Sequence, residues 1–136
     1  MLTDTDDAIR ALLKGTRRIA LVGISANEER PSHRVARYLI DAGYDVVPVN
    51  PGLREIFGRR CFAHVRDIEG GVDMIDVFRR PEEVPAIVDD AIAIGATSLW
   101  LQLGVIAPEA AERAAAAGLK VVMDRCTKIE HARLIA

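Results

Sequence analysis

Five short runs of mostly apolar residues, "RIALVG", "YDVVPVNP", "VDMIDVF", "TSLWLQLG" and "KVVMDRC", alternate along the chain with stretches of helical period. A half-exposed strand alternates polar and apolar residues, whereas a strand covered on both faces reads as a continuous apolar run. Buried strands that alternate with helices predict α/β architecture: a doubly wound parallel sheet of about five strands with helices on both faces. Right-handed crossovers favour the strand order 3-2-1-4-5, with the switch point between the first and fourth strands. The 136 residues are the length of one domain, 1–136.

The helices follow from period and punctuation. Ala8, Ile9, Leu12 and Leu13 share one face of a helix over Asp4 to Lys14, with Thr3 or Asp4 as its N-cap. In "HRVARYLIDAG", Val35 and Leu39 face inward and Gly43 signals the end. "EIFGRRCFAHVRDI" reads as a turn, a short extended piece and a short helix. Pro81 opens "EEVPAIVDDAIAIG", which Gly95 ends. "APEAAERAAAAG" stops at Gly118, and "TKIEHARLI" is the last helix. Pro48 is a defect in the second strand, because a residue without an N–H is disfavoured in a central strand.

Half of the residues are hydrophobic and the net charge is −2, a globular composition that argues against a nucleic-acid partner. No apolar run approaches the roughly 20 residues that span a bilayer. The start "MLTDTDDAIR" is acidic and has no apolar core of a secretory signal, so no membrane partner is expected. Cys61 and Cys126 form no C-x-x-C pair, and a reducing cytoplasm is the expected location.

Ligands of open parallel sheets bind beyond the carboxyl ends of the strands. There the chain places Gly23, Ile24 and Ser25 after the first strand, and Asn50 and Pro51 after the second. Phe78, Arg79 and Pro81 follow the third, Gln102 and Gly104 the fourth, and Arg125 and Cys126 the fifth. The amino ends of the strands carry nothing comparable. Gly23 permits close backbone approach, and a helix starting near Ser32 directs amide donors at an anion. Arg30 and Arg34 add charge-assisted donors for phosphate. A dinucleotide site asks for G-x-G-x-x-G and an acidic residue ending the second strand. This chain has a lone Gly23 and Asn50-Pro51 there, so NAD is disfavoured.

"VGIS…RPS", "GYDVVPVNP", "VDMIDVFRRPEE", "LWLQLG" and "VVMDRCTKIEH", in this order, resemble the small stand-alone CoA-binding proteins of bacteria and archaea, from about Leu2 to Leu134. That family is similar to the amino-terminal CoA-binding domain of the succinyl-CoA synthetase alpha subunit. The resemblance implies a Rossmann-like fold and coenzyme A, or an acyl-CoA, as the ligand. It implies phosphate contacts from Gly23, Ile24 and Ser25, further contacts from Asn50, Pro51, Gln102 and Gly104, and a border of Phe78, Arg79 and Pro81 for adenine or pantetheine. The first loop departs from the synthetase, with Ala26-Asn27-Glu28-Glu29 in place of further Gly and a Gln. His131 does not match the synthetase's phosphohistidine.

His33, His64 and His131 are scattered, and their spacing from Cys61 and Cys126 fits no standard zinc site. No G-x-S-x-G occurs, and the pairs Glu82-Glu83 and Asp89-Asp90 fall on a helix surface. The expectation is a non-enzymatic CoA-binding module, a sensor or a partner subunit, with room for a protein partner or a homo-oligomer. The alternatives are an enzyme that uses a nucleotide or CoA thioester, and an NAD(P)-binding Rossmann domain. Cys126 is placed on the ligand rim, where under oxidation it could form a mixed disulfide with the CoA thiol; the alternative is a buried cysteine that packs as a small apolar side chain. Cys61 is placed at the amino end, away from it.

Overall fold

Successive side chains of a strand point to opposite faces, and each apolar run supplies both. Ile19 and Leu21 pack into one hydrophobic cluster while Ala20 and Val22 pack into another. The computed structural model describes residues 1–136. In chain order it contains α1 (Asp6–Gly15), β1 (Arg18–Val22), α2 (Pro31–Asp41) and β2 (Asp45–Val49). A small hairpin follows, β3 (Glu55–Ile56) with β4 (Arg59–Arg60), then a 3-10 turn (Val65–Asp67) and β5 (Met74–Val77). A second 3-10 turn (Pro81–Glu83) runs into α3 (Val84–Ile94), followed by β6 (Ser98–Leu101), α4 (Pro108–Ala116), β7 (Lys120–Val122) and α5 (Thr127–Leu134). The fold is α/β and Rossmann-like: β1, β2, β5, β6 and β7 form one parallel sheet. α1, α2 and α5 cover the face of Ile19, Leu21, Met74 and Trp100, while α3 and α4 cover the face of Ala20, Ile75 and Leu99.

The strand order is β2-β1-β5-β6-β7. This corrects the expected order, in which the third of the five strands would lie outside the second. That strand, β5, pairs instead with β1 (Ile19 opposite Met74, Val22 opposite Val77), and β2 is an edge. The physical reasons are two. Val65, Ile68 and Val72, on the connection from β2 to β5, pack on the α3/α4 face. A right-handed crossover on that face moves the chain away from β2, past β1. Pro48 supplies the second. The Val49 carbonyl accepts from Gly23 N–H on the inner side, so Pro48 turns outward, where its carbonyl accepts from Phe62 N–H at 3.0 Å. Its missing N–H thus falls on the outer edge and removes no bond of the sheet. Only a single bridge, Val49 to Phe62, pairs beyond β2.

The switch point therefore lies between β1 and β5, not between the first and fourth strands. Helix limits follow the punctuation closely. The N-cap of α1 is Thr5, whose Oγ1 accepts from Ala8 N–H at 3.2 Å, rather than Thr3 or Asp4. Gly95 ends α3 in the left-handed conformation, φ +72°. No helix is long and apolar enough to cross a membrane.

Candidate functional site at the switch point

Beyond the switch point the chains leaving β1 and β5 diverge, and a cleft of about 650 Å³ opens between them. Gly23 sits at its base with φ +91°. A Cβ there would lie 2.2 Å from the Phe78 carbonyl oxygen and 3.1 Å from Arg79 Cδ. The close approach that requires glycine is thus to the backbone leaving β5, where Phe78 N–H donates to the Val22 carbonyl at 2.8 Å.

The wall on the β1 side is a loop braced from within. Ser25 N–H donates to Ser32 Oγ at 3.0 Å, Asn27 N–H to Ser25 Oγ at 3.1 Å, and Glu29 N–H to Asn27 Oδ1 at 3.0 Å. The loop delivers Arg30 as the N-cap of α2, with Pro31 as its first residue. Proline suits that position because its N–H would be unbonded there. The Ser32 N–H finds no acceptor in the protein, leaving the positive end of α2 open toward the cleft. Arg30, Arg79 and Arg80 line the cleft, with Glu83 as the one acid. Glu83 is 3.8 Å from both Arg79 Nε and Arg80 Nε. Glu28 and Glu29 are exposed and outside the lining.

Arg79 and Glu83 also border a second cleft of about 440 Å³, at the ends of β1 and β2. Pro51, His64, Val65 and Ile87 lie around it. The pair thus forms a low ridge between two hollows on one rim. At the opposite, amino ends of the strands a groove of about 430 Å³ is lined by small and apolar residues, with Lys120 its only charged side chain.

Gln102 forms the floor of the larger cleft and is almost fully buried. Its Nε2 donates to Asp76 Oδ1 at 2.6 Å and to Thr127 Oγ1 at 2.9 Å, and Thr127 Oγ1 donates to Asp76 Oδ2 at 2.9 Å. Asp76 is in the middle of β5 and wholly buried. Burial pushes its carboxyl up to about 7, outweighing the hydrogen bonds from Gln102 and Thr127 that favour the charged form. Gly104, at φ +83°, donates its N–H to Asp124 Oδ1 at 2.8 Å, which ties the loop after β6 to the one after β7. Cys126, the N-cap of α5, closes that side of the cleft.

Of the residues expected at the site from the sequence, Gly23, Ser25, Arg30, Ser32, Phe78, Arg79, Pro81, Gln102, Gly104 and Cys126 line this one cleft. Pro51 borders the smaller one. Four others stand elsewhere. Ile24 is fully buried in the core. Arg34 straps the first loop, with Nη2 donating to the Glu29 carbonyl at 2.6 Å. Asn50 joins two loops: Nδ2 donates to the Ile24 carbonyl at 2.6 Å and Oδ1 accepts from Gly52 N–H at 2.7 Å. Arg125 turns its guanidinium away, to Glu130 at 3.4 Å and the Asp4 carbonyl at 3.3 Å. Cys61 is not at the amino end: its Sγ lies 3.7 Å from the Asn50 carbonyl, beneath the end of β2, and burial pushes its thiol up. His131 is a core residue, with Nδ1 at 2.9 Å from Tyr38 Oη. The sequence reading did not single out Asp76 or Thr127. An acid inside an apolar run was the available signal.

A parallel sheet whose cleft opens at the switch point, walled by a helix N-terminus and arginines, defines the class of open α/β ligand-binding folds. Within that class, residues 17–132 match the model of the CoA binding domain family, and the chain belongs to that family. It is 36% identical over 124 residues to the uncharacterized protein YneT of Bacillus subtilis, covering 91% of this chain and 92% of that one. A hypothetical protein from Pyrococcus horikoshii OT3 superposes with a TM-score of 0.94 at 41% identity, covering 97% of this chain and 93% of that one. Over 72 residues it is also 28% identical to the ADP-forming acetate–CoA ligase of Methanocaldococcus jannaschii, 53% of this chain but only 10% of the ligase.

Proposed function

We propose that the chain binds coenzyme A, or an acyl-CoA, along the rim formed by the two clefts, and that it acts as a binding module, a sensor or a partner subunit rather than as an enzyme. The carrying observation is the pair of hollows on either side of the Arg79–Glu83 ridge. Coenzyme A is a long ligand with a nucleotide at one end, phosphates in the middle and an uncharged arm at the other. Arg30, Arg79, Arg80 and the open N-terminus of α2 supply the phosphate donors. The smaller cleft suits the base, and the larger, with Val35, Phe78, Leu103 and Val105 among its walls, suits the arm. Small polar, apolar and arginine side chains are what holding a ligand requires. The Asn50 amide bonds to protein groups at both ends, and β2 ends in no acid for the ribose hydroxyls of NAD.

Calorimetric titration at matched salt tests the reading. Coenzyme A is expected to bind more tightly than NAD; the reverse order overturns it. Native mass spectrometry of the purified protein adds a check for a co-purified ligand of coenzyme A mass.

A further inference from the structure

Gln102 carries more information than its place in the lining. Its amide nitrogen has two hydrogens, and both are used inward, one on Asp76 Oδ1 and one on Thr127 Oγ1. Asp76 fixes this sense. Its Oδ1 accepts from Nε2 whether the carboxyl is ionised or holds its proton on Oδ2, where it faces the Thr127 hydroxyl. With the carboxyl ionised, or holding its proton on Oδ2, a flipped amide would set two oxygens against each other. The amide oxygen Oε1 is therefore the atom left over, and no protein group donates to it. Gln102 lies on the cleft floor and its side chain is almost wholly enclosed, while the unpartnered Oε1 stays accessible and opens onto the ligand space.

Resting on the reading of the ligand as coenzyme A, we infer that Gln102 Oε1 accepts a hydrogen bond from an amide N–H of the pantetheine arm, and that Asp76 and Thr127 are positioning residues that hold the acceptor in place. A ligand that covers this acceptor strips it of water, so one that brings no donor is disfavoured, because leaving the acceptor unpaired there is costly. The pantetheine arm has two amide N–H groups and no charge. The arginines that suit the phosphates stand on the walls of this cleft, whereas Gln102 is on its floor.

The test uses three probes: coenzyme A, acetyl-CoA, and adenosine bisphosphate, which has the nucleotide but no pantetheine. Gln102→Met keeps the length of the side chain and removes the carbonyl. It is expected to weaken coenzyme A and acetyl-CoA equally, by about tenfold, and to leave adenosine bisphosphate unchanged. Loss for coenzyme A alone would make the thiol the donor and overturn the inference. So would equal loss for all three probes, or no loss at all. Asp76→Leu frees the amide and is expected to reproduce the loss. Asp76→Asn, which offers an acceptor to Gln102 and a donor to Thr127, recovers most of it. An Asp76→Asn no better than Asp76→Leu would remove the positioning role. If the wild type binds no coenzyme A, the functional reading has failed; if it binds and Gln102→Met has no effect, only this inference has.

Discussion

Gly23 and Asp76 sit close together in the fold and were unequally visible in the sequence. Gly23 ends an apolar run, and a turn glycine there is easy to find. What it does is set by Phe78, fifty-five positions away, whose carbonyl oxygen fills the space of a Cβ at 2.2 Å. Alanine must move the backbone leaving β5 and hold a positive φ. Gly23→Ala is expected to cost at least about 2 kcal/mol of stability, read from urea denaturation; a loss below about 0.5 kcal/mol would mean that the two loops part freely. Asp76 was passed over because a strand reading rewards apolar neighbours. Its partners Gln102 and Thr127 are 26 and 51 positions along the chain. Its titration has a definite sign. The unfolded chain releases the Asp76 proton near pH 4, while the folded protein keeps it up to about pH 7. Between these values the folded state binds more protons, so this group's contribution to stability falls as pH rises from about 4 to about 7, and is level above. The full span is roughly 4 kcal/mol. Urea denaturation of wild type and Asp76→Asn across this range should show the two stability curves converging or crossing with pH; parallel curves would refute it.

At the scale of elements, the five sheet strands and the helices were legible because period and punctuation are local. The order of the strands was not, because it depends on which face the long connection from β2 to β5 packs against. Pro48 held the answer: a strand that tolerates proline is an edge strand, and the order 3-2-1-4-5 would have put it inside the sheet. Within the site, Asn50 and Arg34 fall beside the rim yet spend their donors on the loops, which no spacing rule reveals. The junction of β7 and α5 carries its own prediction. Cys126 caps α5 and lines the cleft taken here for the pantetheine arm. Attack of its thiolate on CoA disulfide would form the protein–CoA disulfide and release one CoA thiol. Intact mass after such incubation should show a reductant-sensitive CoA adduct on wild type and Cys61→Ser, and none on Cys126→Ser. Cys61 is the buried comparison; an adduct confined to it would reverse the assignment.

For the molecule as a whole, the sheet has two outer strands, and each is blunted. On β2 the outward backbone meets the donorless nitrogen of Pro48 and the single bridge to Phe62. On β7, Thr3 N–H donates to the Val121 carbonyl at 2.7 Å, so the first residues lie along the other edge. An open strand edge is a template on which further chains add by backbone pairing. Here the two ends of the sheet are protected by different means, a proline on one side and a short stretch of chain on the other. The second is removable. Deleting residues 1–4 spares Thr5 and the cap of α1 while uncovering β7. The shortened protein is expected to scatter light at a lower temperature than the full chain on heating, with a steeper dependence on protein concentration. Equal onset for both would mean that β7 needs no cover. The guarded edges also keep copies of this chain from joining through the five-stranded sheet, because it cannot be lengthened from one molecule into the next without first displacing Phe62 or Thr3.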